Sequence, residues 1–321
     1  MRACVDILKE IGHPDWIRLD KEAKEYLEDI QRAVEEAVKR SDKVELVDGT
    51  SIPYVPNEIH QTKPPEFSPV DFWPYINYVD VGPLHLVDAD VLYPNSDIVK
   101  WVLEFEEKYS ITKLKEEISV NENWCFSIKE KGEKPAHLLR HGISVIEPFY
   151  ALHATAYFRQ DNIEKYLEVF YNQMAGAVSH RTLTNVENRY GVWNLPWADA
   201  EFLKMLRRML VQEKGDELLL LYGIPRKWLE EGEKIEVKNL PTYFGNISFS
   251  VLSEIENNQI LMTLHPPDRN PPKKISIRFR HPLEKEVRGV WVDGREWKVF
   301  EKDVVRIDSI ISETMELRIC F

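Results

Sequence analysis

Clustered cysteines and long apolar runs are both missing from this sequence. Its three cysteines, Cys4, Cys125 and Cys320, are far apart, and none has the spacing of a metal-ligand set. Free thiols are expected. No apolar run approaches membrane-spanning length, and the first residues lack the apolar core of a secretory signal. We therefore expect a soluble, cytoplasmic protein that has no membrane partner.

Basic residues are in the minority. Lys and Arg total 42 against 54 Asp and Glu, which gives a formal net charge of −12. No stripe of clustered Lys and Arg occurs, so nucleic acid is not an expected partner. The chain also lacks a GxSxG elbow, a P-loop, a GxGxxG turn and an HExxH helix. The sequence therefore predicts no cofactor and no metal.

Aromatic residues, in contrast, are abundant, with nine Trp, 13 Tyr and 13 Phe. The run NVENRYGVWNLPWADAEF sets Glu187 among Tyr190, Trp193, Trp197 and three Asn. Sugar-binding clefts use rings against sugar faces, and amides or carboxylates against hydroxyls. Burial among rings also keeps a carboxyl group protonated, as a general acid requires. We predict Glu187 as an acid and the three rings as sugar contacts. The alternative is an exposed acid on a loop that packs on the core.

A second aromatic run, DFWPYINYVDVGPLHLVDAD, lies in a proline-rich connection. Trp73 and Tyr75 are predicted to contact a sugar ring. Asp80, His85 and Asp88 follow, and we predict that they bind hydroxyls or position water, with the two acids as catalytic candidates. A cap or an Asx-turn is the alternative for each acid, because Asp is common in turns. The spacing fits no metal-binding loop.

Three further side chains are candidates because of where they lie. Glu147 precedes Pro148 at a predicted helix start, where a carboxylate either interacts with the helix dipole or lines a cleft. We include Glu147 among the catalytic candidates. His180 and Arg181, in SHRTLTN, adjoin the first aromatic run and are predicted to contact the substrate.

Hydrophobic periodicity divides the chain into a helical part and a strand part. Apolar spacings of three and four predict helices at 3–12, 19–41, 95–108, 147–160, 161–178 and 198–213. Gly12 is predicted as a helix C-cap, Asp161 or Asn162 as a helix N-cap, and Asp48-Gly49 as a turn. From Gly215 onward, short runs alternate with a period of two and are separated by turn signals such as Asp293-Gly294. Regular short strands of this kind predict an antiparallel β-sandwich. The expected organisation is an α+β chain with a helical-hairpin domain at 1–215 and a sandwich at 216–321.

The order of these parts resembles the six-hairpin glycosidase superfamily, in which a C-terminal β-sandwich follows a catalytic (α/α)6 toroid. The most specific stretch is the junction LLLLYGIPRKWLEEGEKIEVKNLPTYFGNISFSV, which is similar to the junction in bacterial members. DGTSIPYVPNEIHQ and IEPFYALHATAYFRQDNIEKYLEVFYNQMAGAV resemble hairpin segments of larger members. The resemblance implies hydrolysis of O-glycosyl bonds by two carboxyl groups, about 6.5–9.5 Å apart in inverting enzymes.

The resemblance covers only part of a toroid. Six hairpins need about 350–400 residues, whereas the helical part here has space for roughly three or four. We therefore expect the C-terminal half of a carbohydrate-hydrolysing enzyme. Either a second chain supplies the other half, or that half has been lost, or the toroid is incomplete; a homo-oligomer is also compatible. The alternative functions are a non-catalytic carbohydrate-binding module and a protein-interaction scaffold.

Overall fold

The structure is a computed structural model that describes residues 1–64, 82–105, 107–108, 151–177, 182, 184, 196–308 and 312–321. The chain divides into two compact units, Met1–Phe202 and Leu203–Phe321. In the described ranges the first unit is mainly helical and the second mainly strand. The expected mixed α+β class is confirmed. None of the helices in these ranges combines the length and the apolar content that crossing a bilayer requires.

Seven α-helices lie in the described ranges. Their bounds are α1 (Arg2–Glu10), α2 (Trp16–Arg40), α3 (His85–Asp88), α4 (Asp97–Phe105), α5 (Ala151–Arg159), α6 (Ile163–Ala177) and α7 (Pro196–Leu210). Six of them correspond to helices that the apolar spacing predicted. Helix α3 was not predicted, because a single turn is too short to give a periodic signal.

Helices α1 and α2 form a helical hairpin. Gly12 adopts a left-handed backbone, with φ of +69°, just after the C-terminus of α1, and this confirms its predicted capping position. Pro14 then prevents the helix from continuing. Across the hairpin, the Arg2 guanidinium donates to the Asp20 carboxylate at 2.5 Å. The pKa of Asp20 is lowered, chiefly by its hydrogen bond with Lys24.

Helices α5 and α6 form a second helical hairpin, joined by a sharp turn. Asp161 takes a left-handed backbone with φ of +59°, and Asn162 Oδ1 accepts a hydrogen bond from the Lys165 amide at 3.3 Å. Asn162 therefore caps the N-terminus of α6, one of the two capping residues that the sequence suggested. Phe158 and Tyr166 join the two helices through an edge-to-face contact with 5.2 Å between ring centroids.

A short β-hairpin lies between α2 and α3 in the chain. Its strands are β1 (Lys43–Glu45) and β2 (Ser51–Pro53), and its turn contains Asp48 and Gly49, as the sequence predicted. Gly49 has a φ of +79°. Asp48 accepts a hydrogen bond from the Lys108 ammonium at 2.8 Å. This bond is the main reason that the pKa of Asp48 is lowered to about 2.

The second unit contains two β-sheets. Its described strands are β3 (Val211–Lys214), β4 (Glu217–Leu220), β5 (Lys234–Thr242), β6 (Gly245–Glu254), β7 (Gln259–His265), β8 (Lys274–Arg278), β9 (Gly289–Val292), β10 (Arg295–Trp297), β11 (Phe300–Glu301), β12 (Val304–Ile307) and β13 (Met315–Cys320). One sheet has the order β10-β9-β13-β7-β6-β5 and the other the order β11-β12-β8-β4-β3. The first is wholly antiparallel among the described strands.

The five-stranded sheet departs from the antiparallel expectation at one pair, because β4 and β8 run parallel. These two strands are separated in the chain by three strands of the other sheet, so no hairpin sets their relative direction. They are also buried on both sides: Leu218 and Leu220 lie on one face, and Leu219 lies opposite Ser276 on the other. A continuous apolar run is typical of such a strand. The Ser276 hydroxyl donates to Glu217.

Buried and exposed side chains alternate along the strands of the six-stranded sheet, so one face of this sheet is buried. In β6, Ile247, Phe249 and Val251 are buried, whereas Leu252 is exposed. The β9–β10 hairpin turns at Asp293, with a φ of +50°, and Gly294, which confirms the predicted turn signal.

Strands begin earlier than the sequence pattern indicated. Helix α7 ends at Leu210, and the next residue, Val211, starts β3 and pairs with Leu220. Gly215, with φ of +59°, forms the turn between β3 and β4. The apolar pattern at the end of α7 covers so few residues that it fits both a helical period and a strand period. The pairing with β4 makes the residues from Val211 onward a strand.

His281 is a buried titratable side chain of the second unit, in an environment adverse to charge. Its Nδ1 accepts a hydrogen bond from the Leu283 amide at 2.9 Å, and its ring contacts Phe321 with 4.6 Å between centroids. Nε2 is buried and makes no hydrogen bond within the described residues. Burial lowers the pKa of His281, and the positive charges of Lys285 and Arg226 lower it further.

We predict that this histidine makes the second unit less stable in acid. Between its ordinary pKa of about 6.5 and its lower pKa in the folded protein, His281 binds a proton more readily in the unfolded chain, so stability falls as the pH drops through this window. The slope is at most about 1.4 kcal/mol per pH unit. His281→Asn keeps an acceptor for Leu283 and removes the titration. Urea unfolding at pH 7.5, 6.5, 5.5 and 5.0 should give a shallower slope for this variant.

The matched control is His265→Asn, because His265 is exposed. This variant should keep the slope of the parent protein. Equal slopes for the parent and for His281→Asn would show that His281 does not set the acid sensitivity.

Candidate functional site

A groove of about 390 Å³ lies in the described part of the first unit. The C-terminal turns of α2, the β1–β2 hairpin and the N-terminal half of α4 form its walls. We call it the Trp101 groove, after the aromatic side chain that lines it. Charged residues surround the indole: Glu35 and Lys39 come from α2, Lys43 from β1 and Asp97 from α4.

The position of Trp101 follows from the amphipathic pattern of α4. Val99, Val102 and Phe105 are buried, and Trp101 lies at the edge of that face, where it is half-buried. It packs against the apolar cluster under the β-hairpin, which includes Tyr54. One part of the indole is thus fixed by the core, and the rest is accessible from the groove.

The start of α4 fixes the acidic wall of the groove. The Ser96 hydroxyl oxygen accepts a hydrogen bond from the Val99 amide at 3.4 Å, as an N-terminal cap does. Asp97 lies in the first turn, where the helix dipole favours a carboxylate. Its carboxylate also accepts a hydrogen bond from Lys100 at 3.1 Å on the exposed surface.

The groove carboxylates differ in one respect from those of an acid catalyst. Glu35 and Asp97 are both exposed, as are Lys39 and Lys43. Burial keeps a general acid protonated, whereas these two side chains are not buried. Beside an indole, exposed carboxylates can instead accept hydrogen bonds from hydroxyls, and exposed ammonium groups can donate hydrogen bonds to them. The arrangement fits binding better than proton transfer.

Most of the site residues predicted from sequence lie outside the described residues. These are Trp73, Tyr75, Asp80, Glu147, His180, Arg181, Glu187, Tyr190 and Trp193. Trp197 is the second residue of α7. The structure brings together two of the predicted residues, His85 and Asp88, which are three positions apart on the one-turn helix α3. His85 is exposed, and Asp88 is half-buried.

An arginine clasp holds the end of α3. Arg159, the last residue of α5, donates to the backbone oxygen of Asp88 at 3.1 Å and also to the backbone oxygen of Val87 and the carboxylate of Asp90. Asp90 takes a left-handed backbone with φ of +58°. The chain around Asp88 is therefore positioned by a side chain from a distant helix. This anchor holds the backbone of α3 in place and so fixes the position of His85.

Sequence reasoning missed both Trp101 and Arg159. Each lies in a predicted helix, where an aromatic or a terminal basic residue carries no special signal. A Trp at the boundary of an apolar face, next to Lys100, was the available hint for the groove. The walls contributed by residues 35–43 arise from tertiary packing, which spacing along the chain does not encode.

We predict that the clasp stabilises the first unit. Arg159→Met removes hydrogen bonds to two backbone oxygens and to a carboxylate, and should lower the free energy of unfolding by about 1–3 kcal/mol. Asp90→Asn should cost less than about 1 kcal/mol, because the Asp90 side chain is 82% exposed and Asn tolerates its backbone conformation. Urea unfolding curves measure both effects. An equal loss from the two variants would contradict a role for the backbone contacts.

Comparison of the sequence with known families assigns no family to this chain. No protein-family model matches it, and no curated protein matches it either. The resemblance to the six-hairpin glycosidases therefore rests on the sequence stretches that carry it. What that resemblance implies for function is a proposal.

Proposed function

We propose that the protein binds a carbohydrate in the Trp101 groove and that it is a glycoside hydrolase-related protein. The observation that carries this proposal is the combination of a half-buried indole with exposed carboxylates and ammonium groups in one groove. Its volume of about 390 Å³ is within the range of small-molecule sites, about 300–1,000 Å³. A short segment of a glycan is the ligand class that this chemistry fits.

The groove offers each kind of contact that a sugar ring needs. The indole face of Trp101 suits the apolar C–H face of a pyranose, as aromatic rings generally pack on flat apolar surfaces. Glu35 and Asp97 accept hydrogen bonds from hydroxyls, and Lys39 and Lys43 donate them. Because the core fixes the indole, little side-chain entropy is lost on binding.

For the architecture, we propose a partial (α/α) toroid followed by a β-sandwich. The two helical hairpins, α1–α2 and α5–α6, support the first part, since a toroid is built from such pairs. For the second part, the support is a six-stranded sheet with one buried face beside a five-stranded sheet in the same compact unit.

For the reaction, we propose hydrolysis of a glycosidic bond by two carboxyl groups, with Glu187 as the acid. Asp80, Asp88 and Glu147 are the candidates for its partner. The support is the sequence around Glu187, which surrounds a carboxyl group with rings. Glu35 and Asp97 are too exposed for the acid role, so the Trp101 groove would act as a binding subsite.

We predict that Trp101 carries much of the affinity for the glycan. A glycan array followed by calorimetric titration would identify a ligand and its Kd. Trp101→Ala should raise the Kd at least about tenfold, which corresponds to about 1.4 kcal/mol. Trp101→Phe keeps a ring against the core and should weaken binding less.

The matched control is Trp16→Ala, because Trp16 is also half-buried in the first unit but does not line the groove. Its Kd should equal that of the parent protein. Circular dichroism would verify that each variant is folded. Absence of any glycan ligand would overturn the carbohydrate proposal and leave the interaction scaffold as the alternative.

We predict that Glu187→Gln abolishes hydrolysis and preserves binding. Loss of a general acid typically lowers kcat about 10²–10⁴-fold. The control is Glu286→Gln, which makes the same change at an exposed position of the second unit. Release of reducing sugar from the array-selected glycan measures the rate. Binding without hydrolysis by the parent protein would instead identify a non-catalytic carbohydrate-binding module.

A further inference from the structure

Two ammonium groups line the Trp101 groove without an acidic partner. Lys39 and Lys43 are both exposed, and within the described residues neither ammonium group forms an ion pair or a hydrogen bond. Lys108 of the same unit, by contrast, donates to the Asp48 carboxylate at 2.8 Å. The charge and the hydrogen-bond donors of the two groove lysines are therefore available to a ligand.

Local structure directs both lysines to the groove. Lys43 is paired across the β-hairpin with Pro53, which also lines the groove, and the next residue, Val44, is buried. Because side chains alternate along a strand, the burial of Val44 places Lys43 on the opposite side of β1. Lys39 follows Glu35 by four residues on α2, so these two side chains lie on one side of the helix. Two separate elements thus bring their ammonium groups to one groove.

The carboxylates of the groove do not cancel these charges. Asp97 accepts a hydrogen bond from Lys100 at 3.1 Å, so its negative charge is offset within α4. Together, Lys39, Lys43 and Lys100 carry three positive charges against the two negative charges of Glu35 and Asp97, which leaves a local charge of +1. The N-terminus of α4 adds the partial positive charge of the helix dipole. The groove is therefore locally positive, although the chain has a formal net charge of −12.

A carboxylate on the sugar ring fits this distribution of charge. An ammonium group has three donors and no acceptor, and its hydrogen bonds with a carboxylate are roughly twice as strong as those between neutral groups. A uronic acid carries such a carboxylate on a pyranose ring, whose apolar face suits the Trp101 indole. Glu35 then accepts hydrogen bonds from the ring hydroxyls. A neutral sugar would leave the charges of Lys39 and Lys43 unmatched.

We propose that the Trp101 groove selects an acidic glycan, in which the carboxylate of a uronic acid residue binds Lys39 and Lys43. This inference rests on the proposed binding of a carbohydrate and adds the class of sugar. The groove carboxylates and the indole would then position the ring, and the two lysines would distinguish a charged ring from a neutral one.

Calorimetric titration with charged and neutral ligands of the same shape tests this selection. The probes are trisaccharides of galacturonic, glucuronic and mannuronic acid, each compared with its methyl ester, which keeps the rings and removes the charge. At least one acid should bind with a Kd at least about tenfold below that of its ester. Raising NaCl from about 0.05 M to about 0.5 M should remove most of this difference, because salt screens exposed charges.

The outcomes separate this inference from the proposal on which it rests. Equal binding of acids and esters, tighter binding of the esters, or binding of neutral glycans alone would overturn the selection of an acidic glycan and leave carbohydrate binding intact. If the protein binds no acid, no ester and no neutral glycan, carbohydrate binding itself is overturned.

Substitutions in the groove test which groups make the selection. Lys39→Met and Lys43→Met each remove one charge and keep an unbranched side chain, so each should raise the Kd of the uronate about three- to tenfold. The Kd of its methyl ester should change less than about twofold. Glu35→Gln removes a repelling charge and keeps an acceptor, so it should lower the Kd of the uronate about twofold.

The matched control is Lys21→Met, because Lys21 is also exposed on α2. It lies about five helical turns, or roughly 27 Å, from Lys39 on the same side of the helix. This variant should bind the uronate with the Kd of the parent protein, and circular dichroism would verify that every variant is folded. A uronate Kd that neither groove lysine alters would show that the carboxylate binds elsewhere, which would overturn the inference.

Discussion

The edge-to-face contact between Tyr54 and Phe105 is the interaction on which the Trp101 groove depends. The two ring centroids are 5.5 Å apart, and both side chains are fully or almost fully buried. Tyr54 follows β2, and Phe105 ends α4, so the contact fastens the β-hairpin to the helix. Without that attachment the hairpin and α4 would not form two walls of one groove. The apolar cluster around these rings also holds Trp101 at the groove surface.

Local signals in the sequence predicted a large part of the described fold. Helix spacing, the Gly12 cap and the turns at Asp48 and Asp293 each involve only neighbouring residues, and the chain's own stereochemistry determines them. The parallel pairing of β4 with β8 was not predictable in this way. It joins segments more than 50 residues apart, and many partners would satisfy the same apolar pattern.

The Trp101 groove was not among the predicted site residues, for a related reason. The sequence pointed to loops in which aromatic and acidic residues are adjacent in the chain, such as the run around Glu187. The Trp101 groove instead joins Glu35, Lys43 and Asp97, which no spacing rule connects. The groove also differs chemically from a site for acid catalysis, because its carboxylates are exposed. A binding groove can use ionic side chains in water, whereas an acid catalyst needs burial.

Helix α2 connects the groove to the N-terminal helical hairpin. Its first turns pack with α1, its last turns line the groove, and between them Gln31 donates to the backbone oxygen of Val91 at 2.7 Å. Leu19 and Glu35 are about 24 Å apart along the helix axis, so the contact with α1 lies well away from the groove. The attachments of α2 therefore fix one wall of the groove and leave its opening clear.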